Sequence, residues 1–169
     1  MNNQQTNQIE ELINHYNLLP HPEGGFFRQT YVAAELISME ALPERFEGSR
    51  SFSTAIYFLL PTGSFSAFHR IKSDELWYFH AGSPLIVHTL SERGHEQHHL
   101  GLDLSKGQQP FLWIPKDTIF GSSILDAEGY ALVSCAVAPG FDFRDFELFT
   151  AEQLLLKFAA HREIIERLT

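Results

Sequence analysis

The run Gly63-Ser64-Phe65-Ser66-Ala67-Phe68-His69-Arg70-Ile71-Lys72-Ser73-Asp74-Glu75-Leu76-Trp77-Tyr78-Phe79-His80-Ala81-Gly82 reads as two strands joined by a tight turn. Side chains alternate along a strand, so Ala67, His69 and Ile71 share one face. Lys72-Ser73-Asp74 supplies the turn, and a returning strand carries Glu75 and Trp77 back beside them. A histidine and a carboxylate then converge on one interior point. That geometry serves either metal ligation or a hydrogen-bonded acid–base pair. Arg70 alternates with His69 and is expected to point away from the interior, into a salt bridge or an interface.

Outward from this run the punctuation is regular. Strand-like segments cover 26–32, 53–60, 64–71, 75–80, 85–90, 97–102, 111–114, 119–125 and 130–138. Between them fall Pro61-Thr62-Gly63, Ala81-Gly82-Ser83-Pro84, Arg93-Gly94, Lys106-Gly107, Pro115-Lys116-Asp117 and Glu128-Gly129. Short strands with turn signals every ~8–12 residues predict an all-β sandwich or barrel. Ile9, Leu12, Ile13 and Tyr16 recur at helical spacing before this body, with Thr6 or Asn7 as N-cap. His21-Pro22-Glu23-Gly24-Gly25 is a turn, and 33–48 is read as a loop. Thr150-Ala151-Glu152-Gln153 has the form of a capping box opening a C-terminal helix with Leu154, Phe158, Ile165 and Leu168 on its apolar side. The expectation is one domain over 1–169, with an N-terminal helix in 1–20, a β body over 21–149 and a helix over 150–169.

Composition narrows the function classes. The chain has 169 residues, 44% hydrophobic and 20% charged, as a globular domain does, and 15 phenylalanines favour sheets. A net charge of -9 with no basic stripe argues against nucleic acid as partner. Cys135 is the single cysteine, so no internal disulfide forms. Met1-Asn2-Asn3-Gln4-Gln5 lacks the layout of a signal peptide, and no apolar run approaches the ~20 residues of a membrane span. A cytoplasmic location without membrane partners is therefore expected.

The 63–82 run resembles the first cupin signature, G(X)5HXH(X)3–4E(X)6G, in spacing throughout, with Ile71 where the second histidine stands. His21-Pro22-Glu23-Gly24-Gly25-Phe26-Phe27-Arg28-Gln29-Thr30-Tyr31, Ser53 to Leu60, Ser73 to Trp77 and Leu132 to Phe143 resemble the cupin subgroup Cupin_5, or DUF985. The resemblance implies an RmlC-like jelly roll, a double-stranded β-helix with short terminal helices. It also implies a homodimer with a ligand cavity in the barrel. The second cupin signature is degraded: Pro115 holds its proline, Asp117 stands for a glycine, and Phe120 falls where the last metal-binding histidine belongs.

Cupin metal centres use three histidines and a glutamate, of which His69 and Glu75 survive as vestiges. Two ligands rarely hold a divalent ion against water, so no metal and no other cofactor is expected. In a metal-free epimerase or isomerase, His69 is the expected general base with Glu75 as its orienting partner. His69, Ile71, Glu75, Trp77, Phe120, Tyr57, Arg28 and Tyr31 form the candidate ligand-binding set, with Arg28 and Tyr31 expected to edge the pocket of their own or a partner subunit. Metal-independent epimerases of the rhamnose pathway share the fold and use a barrel histidine as base. The leading expectation is a cupin that binds a small polar metabolite, as a metal-independent sugar or sugar-nucleotide epimerase or isomerase. A non-catalytic binding or sensor module is the alternative, and a metal-dependent cupin enzyme a further one. His95-Glu96-Gln97-His98-His99 reads as a surface cluster, and Cys135 as inert filling of an apolar strand.

Overall fold

The computed structural model describes residues 3–126 and 129–169. The leading Met1-Asn2 and half of the turn expected at Glu128-Gly129 therefore lie outside the described residues. Thirteen strands dominate the described chain, and their apolar faces dictate how they stack. β1 (Leu19–Pro20), β2 (Phe26–Val32), β5 (Thr54–Pro61), β12 (Tyr130–Ala138), β7 (Asp74–Gly82) and β10 (Phe111–Ile114) form a six-stranded sheet in the order β1-β2-β5-β12-β7-β10. β13 (Phe146–Leu148), β6 (Phe65–Ile71), β11 (Ile119–Ile124), β8 (Leu85–Ser91) and β9 (Gly94–Leu100) form a five-stranded sheet in the order β13-β6-β11-β8-β9. Every named neighbour pair is antiparallel.

The sheets face each other as a jelly roll. Phe58, Leu60, Trp77 and Val133 from the first sheet meet Leu85, Val87 and Phe120 from the second in one buried cluster. Removing such side chains from water contributes about 1.5–3 kcal/mol each. Both outer faces are capped by helices. α1 (Asn3–Tyr16) lays Ile9 against Leu59 and Leu132 of the six-stranded sheet. On the other side, Leu154, Ile164, Ile165 and Leu168 cover Phe68 and Leu90. The Phe68 N–H donates to the Leu168 carbonyl at 2.8 Å, tying the chain end to β6.

The strands expected at 26–32, 111–114 and 130–138 match in both bounds, and five others match to within two residues. The departures have physical causes. α1 starts at Asn3, ahead of the expected cap, because polar residues fit a helix without marking its start. β9 begins at Gly94 because the β8–β9 hairpin closes between Ser91 and Gly94. Within the expected loop, β3 (Leu36–Ile37) pairs with β4 (Arg50–Ser51). The capping box at Thr150 and Gln153 is present. The C-terminal helix, however, splits into α2 (Ala151–Phe158) and α3 (Arg162–Arg167), separated by a 3-10 turn at Ala159–His161 that lets both halves follow the curved sheet.

Candidate functional site

Between the sheets lies a cavity of about 460 Å³. β6 and β7 deliver His69, Ile71, Glu75 and Trp77 to its wall, so the expected convergence occurs. Phe120 does not line the hollow. It stands opposite His69 in the β11–β6 register, and its ring packs on the imidazole with centroids 4.2 Å apart.

Tyr57, Arg28 and Tyr31 are not brought to the cavity. Phe27 and Gln29 of β2 line it, so Arg28 faces the other side of the sheet. A bulge between Gln29 and Tyr31 shifts the register beyond, and Tyr31 is exposed. Ile56 and Phe58 of β5 line the cavity, while Tyr57 packs under α1 against Tyr16 with rings 5.0 Å apart. Arg70 points outward and pairs with Glu147 at 2.6 Å.

Two chemically active residues come from the turn at 21–25. Gly24 adopts φ 110°, and a Cβ there would collide with the Phe65 carbonyl oxygen. Only glycine permits that approach, which seats the turn on β6. The Ala67 N–H donates to the Glu23 carbonyl at 2.8 Å and completes the seat. Glu23 thereby enters the barrel. Its Oε1 accepts the Ser66 hydroxyl at 2.8 Å, while Oε2 lies 3.2 Å from His69 Nε2 and 3.5 Å from His21 Nδ1. Sequence reasoning treated this segment as a turn; an acid held between a proline and two glycines was the available signal.

The hydrogen bonds fix where protons reside. His69 Nδ1 is 2.7 Å from the Ala67 carbonyl, an acceptor only, so Nδ1 carries hydrogen. Nε2 of neutral His69 is then a lone pair facing Glu23. His21 Nδ1 accepts the Glu23 backbone N–H at 3.3 Å and is a lone pair as well. With the His21 lone pair taken by that N–H, the His69 Nε2 lone pair facing the carboxyl oxygen calls for a proton on that oxygen, or on Nε2 itself. One proton is shared there.

Burial sets the electrostatics. It pushes the Glu23 and Glu75 carboxyls up to about 7, against the ordinary 4.5. Burial also lowers His69, opposed by the Glu75 charge and the Ala67 hydrogen bond. The carboxyl touching His69 and the carboxyl whose charge supports it are thus different residues. The 3.2 Å contact makes Glu23 the hydrogen-bonding neighbour of His69, and Glu75 acts on the ring through space. Cys135, expected to be inert filling, lines the cavity beside Glu75, and burial with that neighbour raises its thiol well above the usual range. The buried Trp77 Nε1–H has no hydrogen-bond partner in good geometry, although Glu75 lies near enough to feel it.

Residues 10–149 match the cupin superfamily family Cupin_5 (DUF985). The chain belongs to this family. This cupin is 27% identical over 157 residues to an uncharacterized protein of Saccharomyces cerevisiae, covering 87% of the chain and 78% of the yeast protein. Protein SO0799 from Shewanella oneidensis superposes with a TM-score of 0.85 at 41% identity, covering 95% of this cupin and 96% of that chain. A hypothetical protein from Leishmania major matches with a TM-score of 0.85 at 35% identity, covering 95% and 97%. Oxalate decarboxylase from Bacillus subtilis shares the fold at 16% identity and a TM-score of 0.53, with this cupin spanning 36% of that chain.

The donors of this cupin do not fit the metal ion of the superfamily. Ile71 and Phe120 offer no lone pair, and His69 Nε2 is engaged by Glu23. His21, Glu23 and His69 stand together, but among the described residues no three His, Cys, Asp or Glu side chains are arranged to hold an ion. Two of the β9 histidines are spent locally: His95 Nε2 lies 2.9 Å from His88 Nδ1, and His98 Nε2 lies 3.1 Å from Thr89 Oγ1.

Proposed function

We propose that this cupin binds a small polar metabolite in its barrel and exchanges a proton with it through the His69–Glu23 pair, with no resident metal. The observation carrying this reading is the 3.2 Å contact between two groups on a cavity wall that share one proton. A group of that kind, poised near neutral pH, suits removal and return of a proton beside a carbonyl. Epimerisation or isomerisation of a sugar or related metabolite is the matching reaction class. His69 is its general base, Glu23 holds the shared proton, and Glu75 supports the imidazolium by its charge.

A second reading, a non-catalytic binding or sensor module, draws on the shielding of His69. The residue is 2% exposed, with the Phe120 and Phe146 rings 4.2 and 5.3 Å away. The two readings separate in one experiment. Native mass spectrometry of freshly purified chain identifies a retained molecule, and incubation of that molecule with protein in deuterated water follows. Deuterium incorporation that disappears in His69→Ala supports proton transfer. A retained molecule that never exchanges supports the sensor. A chain that retains nothing and protects no ligand removes the binding function.

A homodimer belongs to the same proposal. Tyr31, Val32, Leu36, Met39 and Phe52 expose large apolar surfaces around the β2–β4 edge, as an unpaired interface does. A cytoplasmic location accords with the free Cys135. Among the described residues, no helix is long and apolar enough to cross a membrane.

A further inference from the structure

The cavity wall carries the Glu23, Glu75 and Asp142 carboxyls and, among the described residues, no lysine or arginine. The arginines near it are spent elsewhere. Arg50 pairs with Asp145 at 2.7 Å, Arg70 with Glu147 at 2.6 Å, and Arg144 with Asp142 at 2.7 Å. Arg28 lies on the opposite face of β2. Arg144 balances Asp142, which leaves Glu23 and Glu75 with only the imidazoles of His21 and His69 as basic partners among the described lining residues.

An anion entering this space would leave water for a site with no permanent cation among the described lining residues, and would meet repulsion from Glu23 and Glu75 wherever they are ionised. A cation meets the reverse. Phe58, Phe27 and Trp77 present rings to the same hollow, and aromatic faces attract positive charge by about 0.5–2 kcal/mol each when water is excluded. The unpartnered Trp77 Nε1–H adds one donor for an uncharged oxygen.

We propose that the ligand of this cavity is a small organic cation, an amine or quaternary ammonium carrying a hydroxyl, ether or carbonyl oxygen. Nucleotides, phosphorylated sugars and carboxylic acids are the ligands this assignment predicts to bind worst. The assignment rests on the binding function proposed above and narrows its substrate class.

A proton signature follows. Glu23 faces His21 and His69; Glu75 faces His69, Glu23 and the neutral Cys135 thiol. With both carboxyls poised near neutrality, an arriving cation draws them to the ionised form and expels a proton. Affinity therefore strengthens as pH rises from about 6 to 8, by up to ~10-fold per pH unit for each proton released.

Calorimetric titration of the full chain tests this with choline, ethanolamine, the uncharged choline isostere 3,3-dimethylbutan-1-ol, and uridine monophosphate. The expected result at pH 8 is a cation binding at least ~10-fold more tightly than the isostere, a margin of about 1.4 kcal/mol. That margin shrinks at pH 6 and in Glu75→Gln, and uridine monophosphate gives no heat. Equal binding of the isostere, or tighter binding of the nucleotide, overturns the charge assignment while leaving the barrel a ligand site. Silence with both cations overturns it as well. The binding function itself falls only on the separate finding that no molecule is retained or protected.

Discussion

His69 Nε2 lies 3.2 Å from Glu23 Oε2, and with Nδ1 committed to the Ala67 carbonyl the imidazole has only this nitrogen left for chemistry. The pairing expected from adjacent strands, His69 with Glu75, gives way to one made by a distant turn. A glutamine at 23 keeps the shape and removes the proton. Glu23→Gln is expected to lower turnover by about 10²–10⁴-fold, the usual contribution of a positioned acid or base. Glu75→Gln, which acts through space, is expected to lower it less. Deuterium exchange into the retained ligand measures both; equal losses contradict the assignment of roles.

Acid stability follows from the same carboxyls. Glu23 and Glu75 sit at about 7 in the fold against 4.5 ordinarily, so the folded chain holds protons that the unfolded chain has released. Their contribution to stability is complete below about pH 4.5 and is lost as pH rises through about 7. His88 runs the other way: buried and pushed down to about 3, it favours the fold above 6.5 and withdraws that support on acidification. Glu75→Gln deletes one of the acid terms. Relative to the unmodified chain, its stability should improve between about pH 5 and 8 by on the order of 1–3 kcal/mol. Urea unfolding at the two pH values measures this, and a pH-independent difference contradicts it.

Arg50 clamps the far wall. Its guanidinium donates twice to Asp145, Nε to Oδ2 and Nη2 to Oδ1, both at 2.7 Å, and both residues are buried. Asp145 ends the 3-10 turn Phe143–Asp145, beside the cavity residues Phe143 and Phe146. Arg50→Met strands a buried carboxylate that Lys72, at 3.7 Å, still faces and that Arg144 reaches only through space. The expected cost is about 3–5 kcal/mol in urea unfolding. A loss below about 1 kcal/mol, as for surface pairs, would show that the clamp is dispensable.

The missing metal donors can be restored. Ile71 lines the cavity beside His69, and Phe120 faces His69 across the β11–β6 ladder. Ile71→His combined with Phe120→His adds two imidazoles to His69 and Glu75, giving four donors, as many as a structural zinc site uses. Elemental analysis after zinc loading and dialysis should find roughly one ion per chain in the double variant. It should find far less in the original. Equal occupancy would mean that His69 and its acids already hold the ion.

The barrel was legible because its turns are. Glycine and proline clusters between β5 and β12 bound strands whose alternation then dictates the faces, and His69, Ile71, Glu75 and Trp77 fell into place from that alone. Asp117 shows how fine the signal is: standing where a cupin glycine belongs, it adopts φ 61°. What stayed hidden was long-range. Glu23 and His21 reach the site because the β6 backbone passes against Gly24, a contact that no local pattern encodes. That Arg28, Tyr31 and Tyr57 lie away from the chain's own cavity stayed hidden because alternation gives two faces without saying which is inner, and β2 also bulges after Gln29. Cys135 was read as filling for a related reason. β12 is apolar on both faces, so its periodicity does not reveal which residues meet the cavity.

The state of the His69 ring tests the central claim most directly. Nitrogen-15 chemical shifts of His69, followed from about pH 5 to 9, report which nitrogen carries hydrogen. The account predicts Nδ1 protonated throughout, Nε2 changing state together with a carboxyl near neutrality, and that coupling abolished in Glu23→Gln. A ring protonated at Nε2 alone, or one titrating as a free imidazole and indifferent to Glu23→Gln, would contradict it.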